Sequence, residues 1–383
     1  MTGVEHLAAP MAGSVRTIGI LGGGQLGRML ALAGRPLGFQ FCFLEPGEQP
    51  PVTGLGDIIG GAYDDPAAVE AFARQVDVVT WEFENVPDAT AATLAERLPV
   101  YPPPAALRFA RDRVNEKKGF GRLGIPCAPW RAVNSRDELV RAVEELGTPA
   151  VLKTCQLGYD GKGQAVIKRA ADVDEAWAQL GGVPLVLEAF VPFERELSIV
   201  AARGRDGAFV AYPLVENTHR GGVLVHTHAP APGVHAGLQA QAETYARTLM
   251  DALDYVGVLG LELFALPSGE LWANEVAPRV HNTGHWTQDG AVTCQFENHV
   301  RAIAGLPLGS TKAVGVTEMF NLLGTVPETA AVLAVPLAHL HLYDKAERPG
   351  RKLGHINVTG VDAQQVAKAA ARVRALIEGS QGA

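Results

Sequence analysis

Two acidic residues in the stretch GLELFALPSGELWANEV, Glu262 and Glu275, are spaced to face each other. Apolar alternation on both sides of a Ser-Gly pair reads as a β-hairpin, and a two-residue turn at Ser268 and Gly269 sets Pro267 opposite Glu270. Counting back along the ladder brings Glu262 opposite Glu275 on one sheet face, with β-carbons about 5 Å apart. Like charges directly opposite each other are destabilising, so the pair calls for a cation. A pair of Mg²⁺ ions bridging carboxylates and nucleotide phosphates would supply it, with the adjoining Asn274 as a further oxygen donor. The alternative is an exposed hairpin with two solvated acids, but Leu261, Leu263, Trp272 and Val276 are too apolar to favour it.

Three further stretches carry groups suited to anions. LKTCQLGYDGKGQ puts Lys153 at a strand end ahead of Gly158, Gly161 and Gly163, whose small size lets backbone amides fold over phosphate oxygens beside Lys153 and Lys162. It lacks the GxxxxGK[ST] spacing of a Walker loop, and a flexible hairpin with solvated lysines is the plain alternative. KAERPGRK gathers Lys345, Arg348, Arg351 and Lys352 around Pro349 and Gly350, a cluster sized for one phosphate or a solvated turn. ILGGGQLGRML spaces Gly22, Gly24 and Gly27 as a dinucleotide-binding turn does, with Glu45 placed for a cofactor ribose. An NAD-dependent oxidoreductase therefore stays open at this point. APRVHNTGHWT displays Arg279, His281, Asn282 and His285 in a loop beyond Pro278, and no histidine here has the HExxH spacing of a zinc site.

These groups need elements to hold them. TIGIL (17–21), FQFCFLE (39–45) and VDVVTWEFE (76–84) read as buried parallel strands alternating with helices, the first helix stopping near Gly34 and Pro36. YPPPAALRFARDRVNEKKGF (101–120) marks a domain boundary, since its prolines cannot continue a central strand. A second hairpin, 196–219, turns at Arg205, Asp206 and Gly207. The division expected is a loose leader over 1–16, an N-terminal domain over 17–112, a central domain over 113–310 in two lobes (113–184 and 185–310), and a C-terminal domain over 311–383.

Bulk properties bound the function. A length of 383 residues predicts several domains, and 47% hydrophobic with 19% charged residues describes a globular chain. A formal net charge of −8 argues against a nucleic-acid partner. No run approaches the roughly 18 apolar residues of a membrane span. Cys42, Cys127, Cys155 and Cys294 form no CxxC pair and read as reduced, buried thiols of a cytoplasmic protein.

GGGQLGRML, GYDGKGQ, NEVAPRVHNTGHWT and YDKAERPGRKLGH occur together and in order, and the chain from about residue 17 to 375 resembles the ATP-grasp superfamily, most closely its 5-(carboxyamino)imidazole ribonucleotide synthases. The resemblance implies an α/β and α+β chain: a Rossmann-like pre-ATP-grasp domain, a two-lobed ATP-grasp domain and a small C-terminal domain. It implies ATP- and bicarbonate-dependent carboxylation of 5-aminoimidazole ribonucleotide through carboxyphosphate, releasing ADP and phosphate.

It further implies residue roles. Arg113 and Lys153 contact the nucleotide, Gly158, Tyr159, Asp160, Gly161, Lys162, Gly163 and Gln164 form a flap over the phosphates, and Glu188, Ala189, Phe190 and Val191 form the adenine hinge, which reads the base through backbone groups. Glu196 serves the ribose, His219 and Asn274 adjoin the nucleotide, and Glu262 and Glu275 bind Mg²⁺, with Mn²⁺ as a substitute. Gln25, Leu26, Glu82, Glu84, Tyr159, Asp160, Arg279, His281 and Asn282 face the ribonucleotide, and Lys345, Arg351 and Lys352 hold its phosphate. Tyr159, Lys345 and Arg279 are the catalytic candidates. Gln156 and Leu157 stand where the family commonly has smaller residues. A cytoplasmic homodimer is expected, with no nucleic-acid or membrane partner. A formate-dependent glycinamide ribonucleotide transformylase or another ATP-grasp ligase, and a non-catalytic nucleotide sensor, are the competing readings.

Overall fold

The computed structural model describes residues 15–156, 158 and 162–381. The N-terminal sheet is parallel, in the order Asp57–Ile59, Gln40–Leu44, Thr17–Leu21, Val78–Trp81. Its three predicted strands are present, and their apolar runs are buried because helices cover both faces. The helix Gln25–Gly34 follows the first strand and lies against the helix Gln295–Ala304 of the central region. It ends as expected, but the left-handed residue is Gly38 at φ +88°, after a 3-10 turn at Arg35–Leu37 that carries Pro36. Trp81 Nε1 donates to the Pro278 carbonyl at 3.0 Å, so the third strand's end is tied to the loop that carries Arg279 and His281.

A four-stranded antiparallel sheet forms the small lobe, in the order Trp130–Val133, Leu185–Ala189, Ala150–Thr154, Gln164–Ile167. The helices Arg136–Leu146 and Val173–Leu180 pack against it around Leu139, Val143, Leu152 and Leu187.

The large sheet runs Leu271–Ala277, Gly257–Ala265, Arg195–Arg203, Val215–Arg220, Val223–Ala229, Val316–Leu323, Lys352–Gly360, Ala338–Leu342, with Phe209–Ala211 also pairing with Arg195–Arg203. The 196–219 segment therefore turns where expected and then supplies a second strand to the same neighbour. Strands from the C-terminal region do not build a sheet of their own. His226 pairs with Phe320 and Ala229 with Thr317, so the central sheet continues unbroken into them. The four cysteines are free, with Cys42 and Cys155 buried and Cys127 and Cys294 only partly so. Among the described residues no helix is long and apolar enough to cross a membrane.

Candidate active site

The glycine-rich turn is occupied from within. Gly22 takes φ +110°, and the chain then enters the helix with no side-chain cap on Gly24. Glu82, at the end of the neighbouring strand, accepts from the Gly24 amide through Oε1 and from the Gly27 amide through Oε2, the latter at 2.8 Å. Glu45 accepts from the Gly23 amide at 2.7 Å and from the Tyr63 hydroxyl at 3.0 Å. The amides that would receive a dinucleotide pyrophosphate are thus spent on carboxylates, so the NAD reading of this turn does not hold. Burial pushes the Glu82 pKa up against the pull of the two amides. Glu82→Ala is expected to lower stability by about 1–3 kcal/mol, since two amides lose their acceptor. Thermal melting measures this, and an unchanged Tm would show that the amides find other partners.

One face of the helix Arg113–Arg122 organises the centre of the cleft. Arg113, Glu116 and Lys117 are spaced i, i+3, i+4 and point the same way. Arg113 Nη1 lies 3.0 Å from Glu275 Oε2, Glu116 Oε1 accepts from the Val276 amide at 2.6 Å, and Lys117 Nζ donates to the Asn274 carbonyl at 3.0 Å. Glu116 and Lys117 are almost fully buried, and burial pushes the Glu116 carboxyl up to about 8. Lys117 also lies 3.3 Å from Glu188 Oε2, which accepts from Lys153 Nζ at 3.0 Å. Burial would raise the Glu188 pKa, but Lys117, Lys153 and Arg113 outweigh it and hold the group at about 2.

Glu262 does pair with Glu275, by a different route from the expected turn. The hairpin tip pairs Leu266 with Glu270 and Ala265 with Leu271, a loop one residue longer, and that count would set Glu262 against Asn274. A β-bulge at Asn274 adds one residue to the outer strand and restores Glu275 as the partner. Burial and the facing Glu275 push Glu262 up, whereas in Glu275 burial is outweighed by Arg113 and Lys153 and the carboxyl is held low. Asn274 Oδ1 is buried without a hydrogen-bond partner beside the pair. Two carboxylates and an orphaned amide oxygen fit a hard cation. Among the described residues no group of three or more His, Cys, Asp and Glu is arranged to hold a metal ion, so phosphate oxygens would have to complete the shell.

Around this pair, His219 Nδ1 lies 2.6 Å from Glu196 Oε2. Burial alone would lower the His219 pKa, but Glu196 and Glu262 raise it. Arg279 Nε donates to Glu84 Oε2 at 2.6 Å. His281 is held through its backbone amide and carbonyl by the Gln295 side chain, and its Nδ1 contacts Thr283 Oγ1 at 2.9 Å. Burial and Arg279 push His281 down to about 3, so it stands neutral in the cleft as a hydrogen-bonding group. Both side-chain polar atoms of Asn282 are buried without a partner.

From the C-terminal region Lys345 Nζ donates to Gln25 Oε1, joining the last domain to the first turn. Burial, together with Arg351 and Lys352 and against the pull of Glu82, brings Lys345 down to about 8. Tyr343, almost fully buried two residues earlier, shares a 2.7 Å hydrogen bond with His355.

One cleft of about 1000 Å³ gathers Gln25, Leu26, Glu82, Glu84, Arg113, Gly158, Lys162, His219, Glu262, Glu275, Arg279, His281, Asn282, Lys345, Arg351 and Lys352. Glu82 and Glu84 line it with their carboxylates engaged, Glu82 by the Gly24 and Gly27 amides and Glu84 by Arg279. Lys153, Gly163, Gln164, Glu188, Ala189, Phe190, Val191, Glu196 and Asn274 are not among the residues that line the cleft. In the expected hinge the Ala189 and Phe190 amides are taken by the Pro129 and Pro149 carbonyls, so neither amide is left for adenine. Tyr159, Asp160 and Gly161, together with Leu157, lie outside the described residues. Glu116, Lys117 and Gln295 were not anticipated, although the i, i+3, i+4 spacing of Arg113, Glu116 and Lys117 is visible in the sequence, and Glu45, expected beside a cofactor ribose, instead holds the Gly23 amide.

Residues 15–111 match the ribonucleotide synthetase preATP-grasp domain, residues 118–296 the ATP-grasp domain, and residues 317–369 the phosphoribosylaminoimidazole carboxylase C-terminal domain. The chain is 52% identical over 361 residues to the N5-carboxyaminoimidazole ribonucleotide synthase of Pseudomonas aeruginosa, covering 94% of this chain and 99% of that protein. The crystal structure of N5-carboxyaminoimidazole ribonucleotide synthetase from Thermus thermophilus is similar at a TM-score of 0.90 and 50% identity, covering 94% and 98% of the two chains. The N5-carboxyaminoimidazole synthase of Aspergillus clavatus, in complex with ADP and 5-aminoimidazole ribonucleotide, is similar at a TM-score of 0.89 and 31% identity, covering 95% and 99%.

Proposed function

The chain belongs to the N5-carboxyaminoimidazole ribonucleotide synthase family, and from that premise we propose how its cleft divides the work. It is an ATP-dependent ligase that carboxylates 5-aminoimidazole ribonucleotide in purine biosynthesis. The γ-phosphoryl group of ATP passes to a bicarbonate oxygen, giving carboxyphosphate and ADP. The exocyclic amine then attacks the carboxyl carbon, the C–O bond to phosphate breaks, and the amine loses a proton as phosphate leaves.

The observation that carries this reading is that the carboxylate pair, the Arg279–His281 loop and the Lys345–Lys352 strap all open into one cleft. Arg113, Lys153 and the flap from Gly158 to Gln164 hold the nucleotide phosphates, with Tyr159, Asp160, Gly161, Lys162 and Gly163 covering them. Glu188 keeps Lys153 extended towards the phosphates, 3.0 Å from its carboxylate. Adenine sits against the hinge from Glu188 to Val191, with Glu196 and His219 on the ribose side. Glu262, Glu275 and the Asn274 amide oxygen hold Mg²⁺, or Mn²⁺ in its place. When bound, that ion neutralises charge on the transferring phosphoryl group. Gln25, Leu26, Glu82, Glu84 and Asn282 line the imidazole and ribose end, and Lys345, Arg351 and Lys352 take the ribose phosphate. Arg279, neutral His281, Tyr159 and Lys345 surround the carboxylating species, and the flap excludes the water that would hydrolyse it.

A coupled assay of ADP release tests the reading. Turnover is expected only with bicarbonate and 5-aminoimidazole ribonucleotide together, and turnover with glycinamide ribonucleotide and formate instead would overturn it. A pH profile tests Lys345. A lysine binds phosphate as a cation, and a group brought down to about 8 loses its charge as pH rises through that value. kcat/KM for the ribonucleotide should therefore be level below pH 8 and fall above it. Lys345→Arg keeps the charge and is expected to move that fall to higher pH, and an unmoved alkaline limb assigns it to another group.

We keep the domain boundaries at 16/17, 112/113 and 310/311, but divide the lobes of the central domain after Ala189 rather than at the expected 184/185, because Leu185–Ala189 is a strand of the small-lobe sheet. The second of these boundaries is supported by Asp112 capping the helix that starts at Arg113. The homodimer and the cytoplasmic location rest on the family resemblance, and sedimentation equilibrium tests the dimer.

A further inference from the structure

The hairpin does not create the carboxylate pair by itself. Its tip fixes a register in which Glu262 would meet Asn274 and Glu275 would meet Leu261, and a one-residue slip turns a side chain to the other sheet face. Leu261 is fully buried among Leu263, Ala273 and Val276, so an unbulged strand would turn Glu275 into the core. The bulge at Asn274 is what brings the two acids together.

The bulged strand is also the last in its sheet, and among the described residues its outer edge meets no further strand, only an isolated bridge from Cys127 to Ala273. The Pro126 carbonyl accepts from the Ala273 amide at 2.7 Å, Lys117 donates to the Asn274 carbonyl at 3.0 Å, and Glu116 accepts from the Val276 amide at 2.6 Å. The last two contacts fall on either side of Glu275, which Arg113 of the same helix holds at 3.0 Å. A single helix face thus grips three consecutive residues of the bulge. Edge strands whose groups are met by side chains need no further strand, and a bulge held at both ends cannot relax into the regular ladder.

We propose that Lys117 and Glu116 are positioning residues that hold the Asn274 bulge and so keep Glu275 facing Glu262. The inference rests on the reading of Glu262 and Glu275 as the metal ligands. In this role Lys117 and Glu116 act through the strand: Lys117 does not line the cleft, and Glu116, which does, has its Oε1 taken by the Val276 amide. Lys117 spans the lobes as well, since its second partner, Glu188, belongs to the small-lobe sheet.

The test is Mn²⁺ binding to the enzyme–ADP complex, followed by electron paramagnetic resonance, beside steady-state kinetics. Lys117→Met should weaken Mn²⁺ binding at least tenfold and lower kcat while changing KM for the ribonucleotide less than twofold, and Lys117→Arg should recover part of the affinity. Parental Mn²⁺ affinity in folded Lys117→Met overturns the inference. Should Lys117→Met not fold, Glu116 carries the test. Glu116→Leu removes the acceptor for the Val276 amide and should weaken Mn²⁺ binding, and Glu116→Gln keeps an acceptor and should restore it. Equal affinities in those two variants overturn the inference. Glu275→Gln is run alongside: unchanged Mn²⁺ affinity there defeats the metal-ligand reading itself, separately from the clamp.

Discussion

Glu275→Ala is expected to lower kcat by about 10³-fold, equivalent to about 4 kcal/mol of lost transition-state stabilisation, with the fold retained. Three consequences of the geometry add up in that loss. The cation site keeps one acid of two and the Asn274 oxygen, which leaves a divalent ion with too few protein ligands to stay in register with the phosphates. Arg113, 3.0 Å away, loses the carboxylate that aims it and is free to pair with Glu188 or Glu116. Glu262 loses the like charge that helps push its pKa up. The fold should survive because the Glu275 side chain is 39% exposed towards the cleft and the core contacts of its neighbours Ala273 and Val276 do not involve it. ADP release and a circular dichroism melt, run on the same preparation, separate the two effects. Near-normal turnover in a folded variant would falsify the metal-ligand role. Turnover lost together with the fold would move Glu275 from chemistry to structure.

The same hairpin shows how far the sequence could be read. The facing of Glu262 and Glu275 was legible, because like charges beside Leu261, Leu263 and Val276 needed an explanation. The route to it was not. A Ser-Gly pair suggests a two-residue turn, yet Gly269 at φ +84° closes a three-residue loop, and the missing count is made up by the bulge at Asn274. A bulge depends on groups supplied from elsewhere in the chain, here Lys117 and Glu116 from about 160 residues away in sequence. The spacing of those two residues was visible, but their role was hidden for a related reason. A Glu-Lys pair within a cationic helix reads as a solvated face, and only the edge of a distant sheet makes it a buried one.

At the other end of the chain the glycine spacing announced a strand-to-helix turn correctly, but left open whether the anion on its amides is a cofactor or a group of the protein itself. The anion is Glu82, whose strand lies next to the first in the parallel order, so the acid is delivered by topology rather than by a sequence motif. The C-terminal cluster at Lys345 and Lys352 was found as a phosphate-sized patch. Its partner Gln25 lies 320 residues away in sequence and could be joined to it only through the family resemblance.

Arg279 carries the second large effect. Its side chain is 16% exposed at the cleft wall, and its guanidinium donates to Glu84 at 2.6 Å and to the Val280 carbonyl at 3.1 Å, so its orientation is fixed before any substrate arrives. A guanidinium held in this way presents its remaining donors to a carboxylate or phosphate with little entropy left to lose. Arg279→Met should therefore lower kcat/KM for the ribonucleotide by about 10²-fold, the scale of about 3 kcal/mol expected when a charge-assisted contact to a reacting group is lost. KM for MgATP should change little, since Arg113 and Lys153, held by Glu275 and Glu188, are untouched. Arg279→Met also leaves Glu84 without its counterion. The companion variants are Glu84→Gln and the double substitution. If Glu84 acts by aiming Arg279, Glu84→Gln alone costs less than Arg279→Met, and the double variant is no worse than Arg279→Met. Additive losses would mean that Glu84 meets the substrate through contacts of its own. A rise confined to KM for MgATP would place Arg279 on the nucleotide side of the cleft.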